Sequence, residues 1–223
     1  MKELCDKFNK IIDTHIKLNR GTEAFSARLE QRASAKLFRH ILAQVYSRAV
    51  IDPDKLRDYE PFSPSVNIEK NDFPSSQLFC SKVYGETSPD LIDSILKVIN
   101  LTEDQTFIDL GSGVGNVVLH VAALANCKQV YGIEYEETPA SYARAMADEF
   151  RSWMRWYGKQ YSDFQLEQGD FLTHSTIDEK IREADVIFVN NYVFGSRVNH
   201  ELKVKFMNMK GKLFFDFIVI FYF

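Results

Sequence analysis

Cysteine is scarce in this 223-residue chain: Cys5, Cys80 and Cys127 are odd in number, far apart and outside any C-x-x-C spacing. That excludes a disulfide framework, gives no support to a zinc site, and fits a reducing compartment best. Ten glycines and six prolines are too few for a collagen or a low-complexity chain. No apolar run reaches the roughly 18 residues that a membrane span needs. The charged start MKELCDKFNK has no signal-peptide core. A soluble, intracellular protein is expected. A strong charge of either sign is missing too, with 27 Lys and Arg against 31 Asp and Glu and a net charge of −4. Global charge does not announce a nucleic-acid binder, so any basic surface has to be local.

What is present is 45% apolar and 26% charged residues, the composition of a globular domain with a real core. From Glu3 to Leu18 and from Gln31 to Val50 apolar residues recur at helical spacing, as in Leu37, Ile41, Leu42, Val45 and Ala49. Between Lys17 and Arg48 seven basic residues stand against two acidic ones, either a solvated helix face or a docking face for a polyanion. Pro53, Pro61, Pro64 and Pro74 defeat both periods from Ile51 to Lys82, which reads as loop. Beyond it strands alternate with helices. Strands are expected at Thr106 to Leu110, Gln129 to Glu134, Phe164 to Glu167 and Val186 to Asn190, and helices at Val114 to Ala125, Pro139 to Tyr157 and Asn199 to Met209. Thr138 is the expected N-cap of the middle helix, with Pro139 at its first position. This order predicts an α/β fold with a doubly wound, mostly parallel sheet.

The chemistry concentrates in Phe107-Ile-Asp-Leu-Gly-Ser-Gly-Val-Gly-Asn116, an apolar strand running into three alternating glycines and then a helix. Gly111, Gly113 and Gly115 let the backbone approach a ligand closely at the crevice beyond the strand ends. The spacing G-x-G-x-G, not G-x-G-x-x-G, and Asp109 two residues before the first glycine favour a cationic amino-acid ligand, S-adenosylmethionine, over a dinucleotide pyrophosphate. Glu134 ends the second strand, where a carboxylate accepts hydrogen bonds from a ribose diol. Asp170 and Phe171 follow the third strand, a carboxylate for an adenine amino group and a ring to lie against the base.

Together, DLGSGVGNVVL, FRSWMRWYGK with GDFL after it, VIFVNNYVFG, and YEPFSP with VYGETS resemble the catalytic domain of the disruptor-of-telomeric-silencing family, over residues 3–64 and 83–210. The resemblance implies a class I methyltransferase, Rossmann-like fold with an N-terminal helical subdomain. It divides the chain into a helical region at 1–64, an insertion loop at 65–82 and a methyltransferase core at 83–223. It implies S-adenosyl-L-methionine as cofactor and a lysine on the globular face of histone H3, within the nucleosome, as target. A nuclear, monomeric chromatin regulator that acts in silencing, with histone H3 and nucleosomal DNA as partners and no membrane, follows from the same likeness.

Carried over by motif, Tyr84, Gly85, Glu86 and Thr87 match the loop that closes over the methionine end of the cofactor. Phe107, Asp109, Gly111, Gly113, Gly115 and Asn116 match the cofactor loop, Asn116 standing where the family commonly has glutamine. Glu134 matches the ribose carboxylate, and Asp170 with Phe171 the adenine clamp. Asn190 and Thr87 match residues that border the channel for the target lysine, and are the expected catalytic positions. The chain departs from the family in the stretch Ser65 to Lys82 and after Lys210, where GKLFFDFIVIFYF replaces a glycine turn and further strands. Incomplete C-terminal strands are therefore expected. They leave open an inactive chromatin-binding relative, or a methyltransferase for another protein, as alternatives.

Overall fold

Short runs rich in β-branched and aromatic residues form the strands β1 (Thr106–Leu110), β2 (Gln129–Glu134), β4 (Val186–Val189) and β5 (Ile218–Phe221), while β3 (Asp163–Gln168) is an alternating polar and apolar strand. All pair in parallel in the order β3-β2-β1-β4-β5. The computed structural model describes residues 6–7, 9–14, 31–56, 87–191, 194, 196–207 and 218–221. Helices α1 (Ala35–Ala49), α2 (Pro89–Ile99), α3 (Asn116–Leu124), α4 (Glu137–Trp156), α5 (Ile177–Glu183) and α6 (Ser196–Met207) connect or flank the strands. Residues 9–14 are also helical.

Side chains of alternate parity leave each strand on opposite faces. Phe107, Val130, Val186 and Phe188 pack with Ile92 of α2 and Val117, Val118 and Val121 of α3. Ile108, Tyr131, Ile133, Ile187 and Val189 pack with Ile177 and Ile181 of α5 and Leu202 of α6. Helices on both faces of a parallel sheet give the expected doubly wound, Rossmann-like arrangement. Strand order reverses at β1, which is flanked by β2 and β4, and the crevice at that switch point carries the candidate site. On the first face, α4 covers β3 through Phe150, set edge-on to Tyr161 and Phe164 at 5.1 and 5.5 Å. α1 lies outside it, with Phe38, Ile41 and Val45 in one cluster with Leu119, Met146, Phe150 and Met154.

Several expected boundaries move for local reasons. The second and third glycine-turn residues delay α3 to Asn116, because Gly115 is its N-cap in a left-handed conformation (φ 86°). The expected Thr138 cap is replaced by Glu136, so Pro139 falls inside the first turn, where its missing N–H has no helical partner to lose. Pro53–Leu56 is a 3-10 turn within the stretch read as loop, and residues 57–82 of that stretch lie outside the described residues. The sequence reading also missed α2 and α5. The C-terminal run is not surplus to the sheet: β5 extends it from Val186↔Ile218 to Val189↔Phe221. No helix among the described residues is long and apolar enough to cross a membrane.

Candidate functional site

After β1 the chain turns through Gly111 (φ 85°), Gly113 (φ 55°) and Gly115 (φ 86°), conformations that only glycine adopts without strain. The turn is fastened to β2, since the N–H groups of Gly111 and Ser112 donate to the Ile133 carbonyl at 2.9 and 3.0 Å. Close approach also requires Gly132 on β2. A Cβ there would lie 2.6 Å from Val118 Cγ2 and 2.9 Å from Ser112 Cβ and Leu166 Cδ2. The missing side chain lets α3 and the turn rest directly on the sheet.

Glu134 ends β2 and is 9% exposed. Its Oε2 accepts from the Gly113 N–H at 2.8 Å and its Oε1 from the Glu136 N–H at 2.9 Å, leaving further lone pairs on both oxygens. Burial raises its pKa, against the pull of those backbone donors. Asp109 shares its face of the sheet and is 2% exposed. Burial, and then the negative field of Glu134, hold the Asp109 carboxyl well above the usual carboxylate range. Two buried carboxylates beside each other are costly without a compensating cation. Ser112 Oγ and Asn116 Oδ1 are buried and lack hydrogen-bond partners. The turn therefore offers an unpartnered hydroxyl and an unpartnered amide oxygen beside two carboxylates, which suits a ligand that brings hydroxyls and positive charge.

The β3 end is tied to the same place, as the Gly169 N–H donates to the Glu134 carbonyl at 2.8 Å. Asp170 next to it caps a turn: Oδ1 accepts from the Leu172 N–H at 2.8 Å and Oδ2 from the Thr173 hydroxyl at 3.1 Å. Phe171 is buried and packs on Phe194, ring centroids 5.5 Å apart. A Cβ on Gly111 would lie 3.1 Å from Phe194 Cζ, so that ring forms a wall of the glycine turn. Sequence reasoning missed Phe194, because no spacing signal connects it to the glycines.

Asn190, just past β4, donates from Nδ2 to Thr87 Oγ1 at 3.3 Å, joining residues 103 positions apart. The two expected catalytic positions are therefore neighbours. Asn191 Nδ2 donates to Asn199 Oδ1 at 3.0 Å, and Asn199 Nδ2 to the Phe194 carbonyl at 3.0 Å, which anchors the loop after β4 to α6. Asn199 was also missed. Phe107, expected in the cofactor loop, keeps its side chain within the sheet's core. It is 1% exposed and stacked on Phe188, because it lies one pleat deeper in β1 than Asp109 and so points into the core. Tyr84, Gly85 and Glu86 lie outside the described residues.

A family profile described as histone methylation protein DOT1 matches residues 65–213. The chain is 43% identical over 210 residues to the H3 lysine-79 specific histone-lysine N-methyltransferase of Drosophila melanogaster, covering 94% of this chain and 10% of that protein. The Caenorhabditis elegans protein of the same description is 40% identical over 128 residues, 56% of this chain and 14% of its own length. This chain thus spans a small part of those relatives. Among solved structures, an RNA methyltransferase from Salinibacter ruber in complex with S-adenosyl-L-homocysteine aligns at 24% identity and a TM-score of 0.40. That alignment covers 53% of this chain and 67% of the other. A precorrin-6y C5,15-methyltransferase from Geobacter metallireducens aligns at 14% identity and a TM-score of 0.44, over 61% and 63%.

Proposed function

The chain belongs to the DOT1 family of histone methylation proteins, and we propose that it is an S-adenosylmethionine-dependent lysine methyltransferase acting on histone H3 within nucleosomes, in the nucleus. Its relatives named for H3 lysine-79 support the substrate, and their names support a role in chromatin regulation. The observation that carries the reading is the pair Asp109 and Glu134, both buried around a positive-φ glycine turn with the unpartnered oxygens of Ser112 and Asn116 beside them.

In this reading Glu134 accepts from the ribose hydroxyls, while Asp109 faces the cationic amino-acid end and is relieved of its burial cost by that charge. Gly111, Gly113, Gly115 and Asn116 form the cradle, Phe171 lies against the base, and Asp170 holds the turn that places Phe171. When bound, the cofactor supplies a methyl group on a sulfonium, which needs no covalent help from the protein. The difficulty lies with the lysine amine, which at a pKa near 10.4 is neutral only about once in a few thousand at pH 7. A channel poor in water disfavours the ammonium, and Asn190 with Thr87 orients the free amine toward the methyl. Catalysis is then positioning and exclusion of water, with no general base.

Calorimetric titration of the folded chain with S-adenosylmethionine, beside methylation assays on whole nucleosomes, tests the proposal. Micromolar binding with transfer to H3 is expected. No heat at millimolar cofactor overturns the cofactor site, and binding without transfer identifies an inactive relative.

A further inference from the structure

Away from the glycine turn, three helices meet at one carboxylate. Asp93 of α2 accepts through Oδ1 from Nε2 of His120 on α3 at 2.7 Å, and pairs through Oδ2 with Arg39 of α1. Arg39 also reaches Asp90 at 2.6 Å. His120 is 1% exposed and its ring lies 4.6 Å from that of Phe38 on α1. Burial holds the His120 pKa below its usual value, against the pull of Asp93, so the ring is neutral and Nε2 carries its proton. Burial would raise Asp93, but its bonds to Arg39 and His120 outweigh that and keep it ionised.

His120 and the helix that carries Asp93 both adjoin the cofactor site. His120 is one helical turn after Asn116, on the helix that the glycine turn opens. α2 starts directly after Thr87, with Ser88 as its N-cap and the Leu91 N–H donating to Ser88 Oγ at 3.3 Å. A shift of α2 along α3 therefore moves Thr87 relative to both the glycine turn and Asn190. The apolar side of α2, Ile92 with Ile95 and Leu96, shares one cluster with Val117 and Val121 of α3, and non-directional apolar contact sets a distance more than a register along the helix axes. A charge-assisted hydrogen bond sets a register.

We propose that Asp93 is a positioning residue, which through His120 fixes Thr87 against the glycine turn and so sets the affinity for the cofactor. The proposal rests on the cofactor site described above. Arg39 keeps the carboxylate charged, and makes the docking of α1 part of the same adjustment.

The test compares the full chain with Asp93→Ala, His120→Ala and His120→Gln. Asp93→Ala and His120→Ala are expected to raise the dissociation constant and KM for S-adenosylmethionine about tenfold. Their kcat is expected to fall by less than KM rises, about threefold, because Thr87 also shifts relative to Asn190. Amide exchange at Leu91 and Ile92, which bond to the Ser88 carbonyl, should quicken. His120→Gln keeps an N–H donor of similar reach and should restore both readings. Unchanged affinity in folded variants, or equal losses in kcat and affinity that glutamine does not rescue, would overturn the proposal. If Asp93→Ala fails to fold, the His120 pair decides, since it leaves the Arg39–Asp93 pair in place. A parent chain that binds no cofactor would overturn the functional reading instead, and exchange at Leu91 and Ile92 would then decide this one alone.

Discussion

Asp109 shows how a single side chain can work against the fold that holds it. Its pKa is raised in the folded chain, so the folded state binds more protons than the unfolded state between the two values. Stability conferred by the fold therefore falls as pH rises from about 4 through that window, and the cost persists at neutral pH. Asp109→Asn removes the buried charge at nearly constant shape. In the absence of ligand it is expected to raise the melting temperature at pH 7 by about 3 °C, and to flatten the loss of stability between pH 4 and 7. The same substitution should weaken S-adenosylmethionine binding at least tenfold, because the cation loses its counter-charge. Thermal unfolding and calorimetric titration of one sample separate the two effects. Lower stability together with unchanged binding would show that Asp109 is an ordinary core group. Asp109, Glu134 and the three glycines were legible in the sequence because strand-end position and chain spacing place them. Phe194 and Asn199 were not, since their relation to the turn arises only when the β4–α6 connection folds back over it.

Among the elements, α3 is the most apolar and the most dependent on its neighbours, with Val117 to Ala123 buried throughout. Its C-terminal carbonyls are satisfied from outside the helix. Arg32 donates from Nη1 to the Ala122 carbonyl at 2.9 Å and from Nη2 to Asn126 Oδ1 and Ser162 Oγ at 3.0 and 2.9 Å. Ser162 in turn donates to the Ala125 carbonyl at 2.9 Å, and its own N–H bonds the Ala122 carbonyl at 2.8 Å. A cation at the negative end of the helix is favourable, and its half-buried position makes each bond count. Arg32→Met keeps much of the packing volume but strips these donors. It is expected to lower unfolding free energy by about 2 kcal/mol in urea denaturation, with little change in the slope. Element type followed from periodicity wherever a stripe or run was long, as for α4 and β2. It failed at α2, where apolar residues alternate with Asp90, Asp93 and Ser94 in a segment adjoining the proline-rich stretch. It failed again at α5, whose seven residues show only two buried positions.

At the scale of the molecule, α1 shares a core with α3 and α4, so the N-terminal helix and the sheet domain fold onto one another. At the other end, β5 supplies the pairing partner of β4, whose four residues are all buried. Removal of residues 208–223 would turn β4 into an exposed, apolar edge beside Asn190. Such a chain is expected to self-associate, to bind a hydrophobic dye and to unfold at lower urea concentration, as read by light scattering, fluorescence and circular dichroism. A monodisperse truncated chain of unchanged stability would show that β5 adds nothing to the sheet.

Alternation of strand and helix, the glycine spacing and the acidic residues at strand ends are local patterns, and local patterns are what a sequence displays. They determined the α/β class, the parallel sheet and the glycines and carboxylates gathered at the turn after β1. Contacts between distant segments have no period to betray them. The Asn190–Thr87 pair could be anticipated only through likeness to a family, and the apolar run Leu213 to Phe223 called for a partner strand but left open whether β4 supplies it, whereas the Arg39–Asp93–His120 junction and Phe194 over Gly111 had no signal at all. Those were decided by tertiary packing, because each depends on where helices and strands come to rest against one another once their apolar faces are buried.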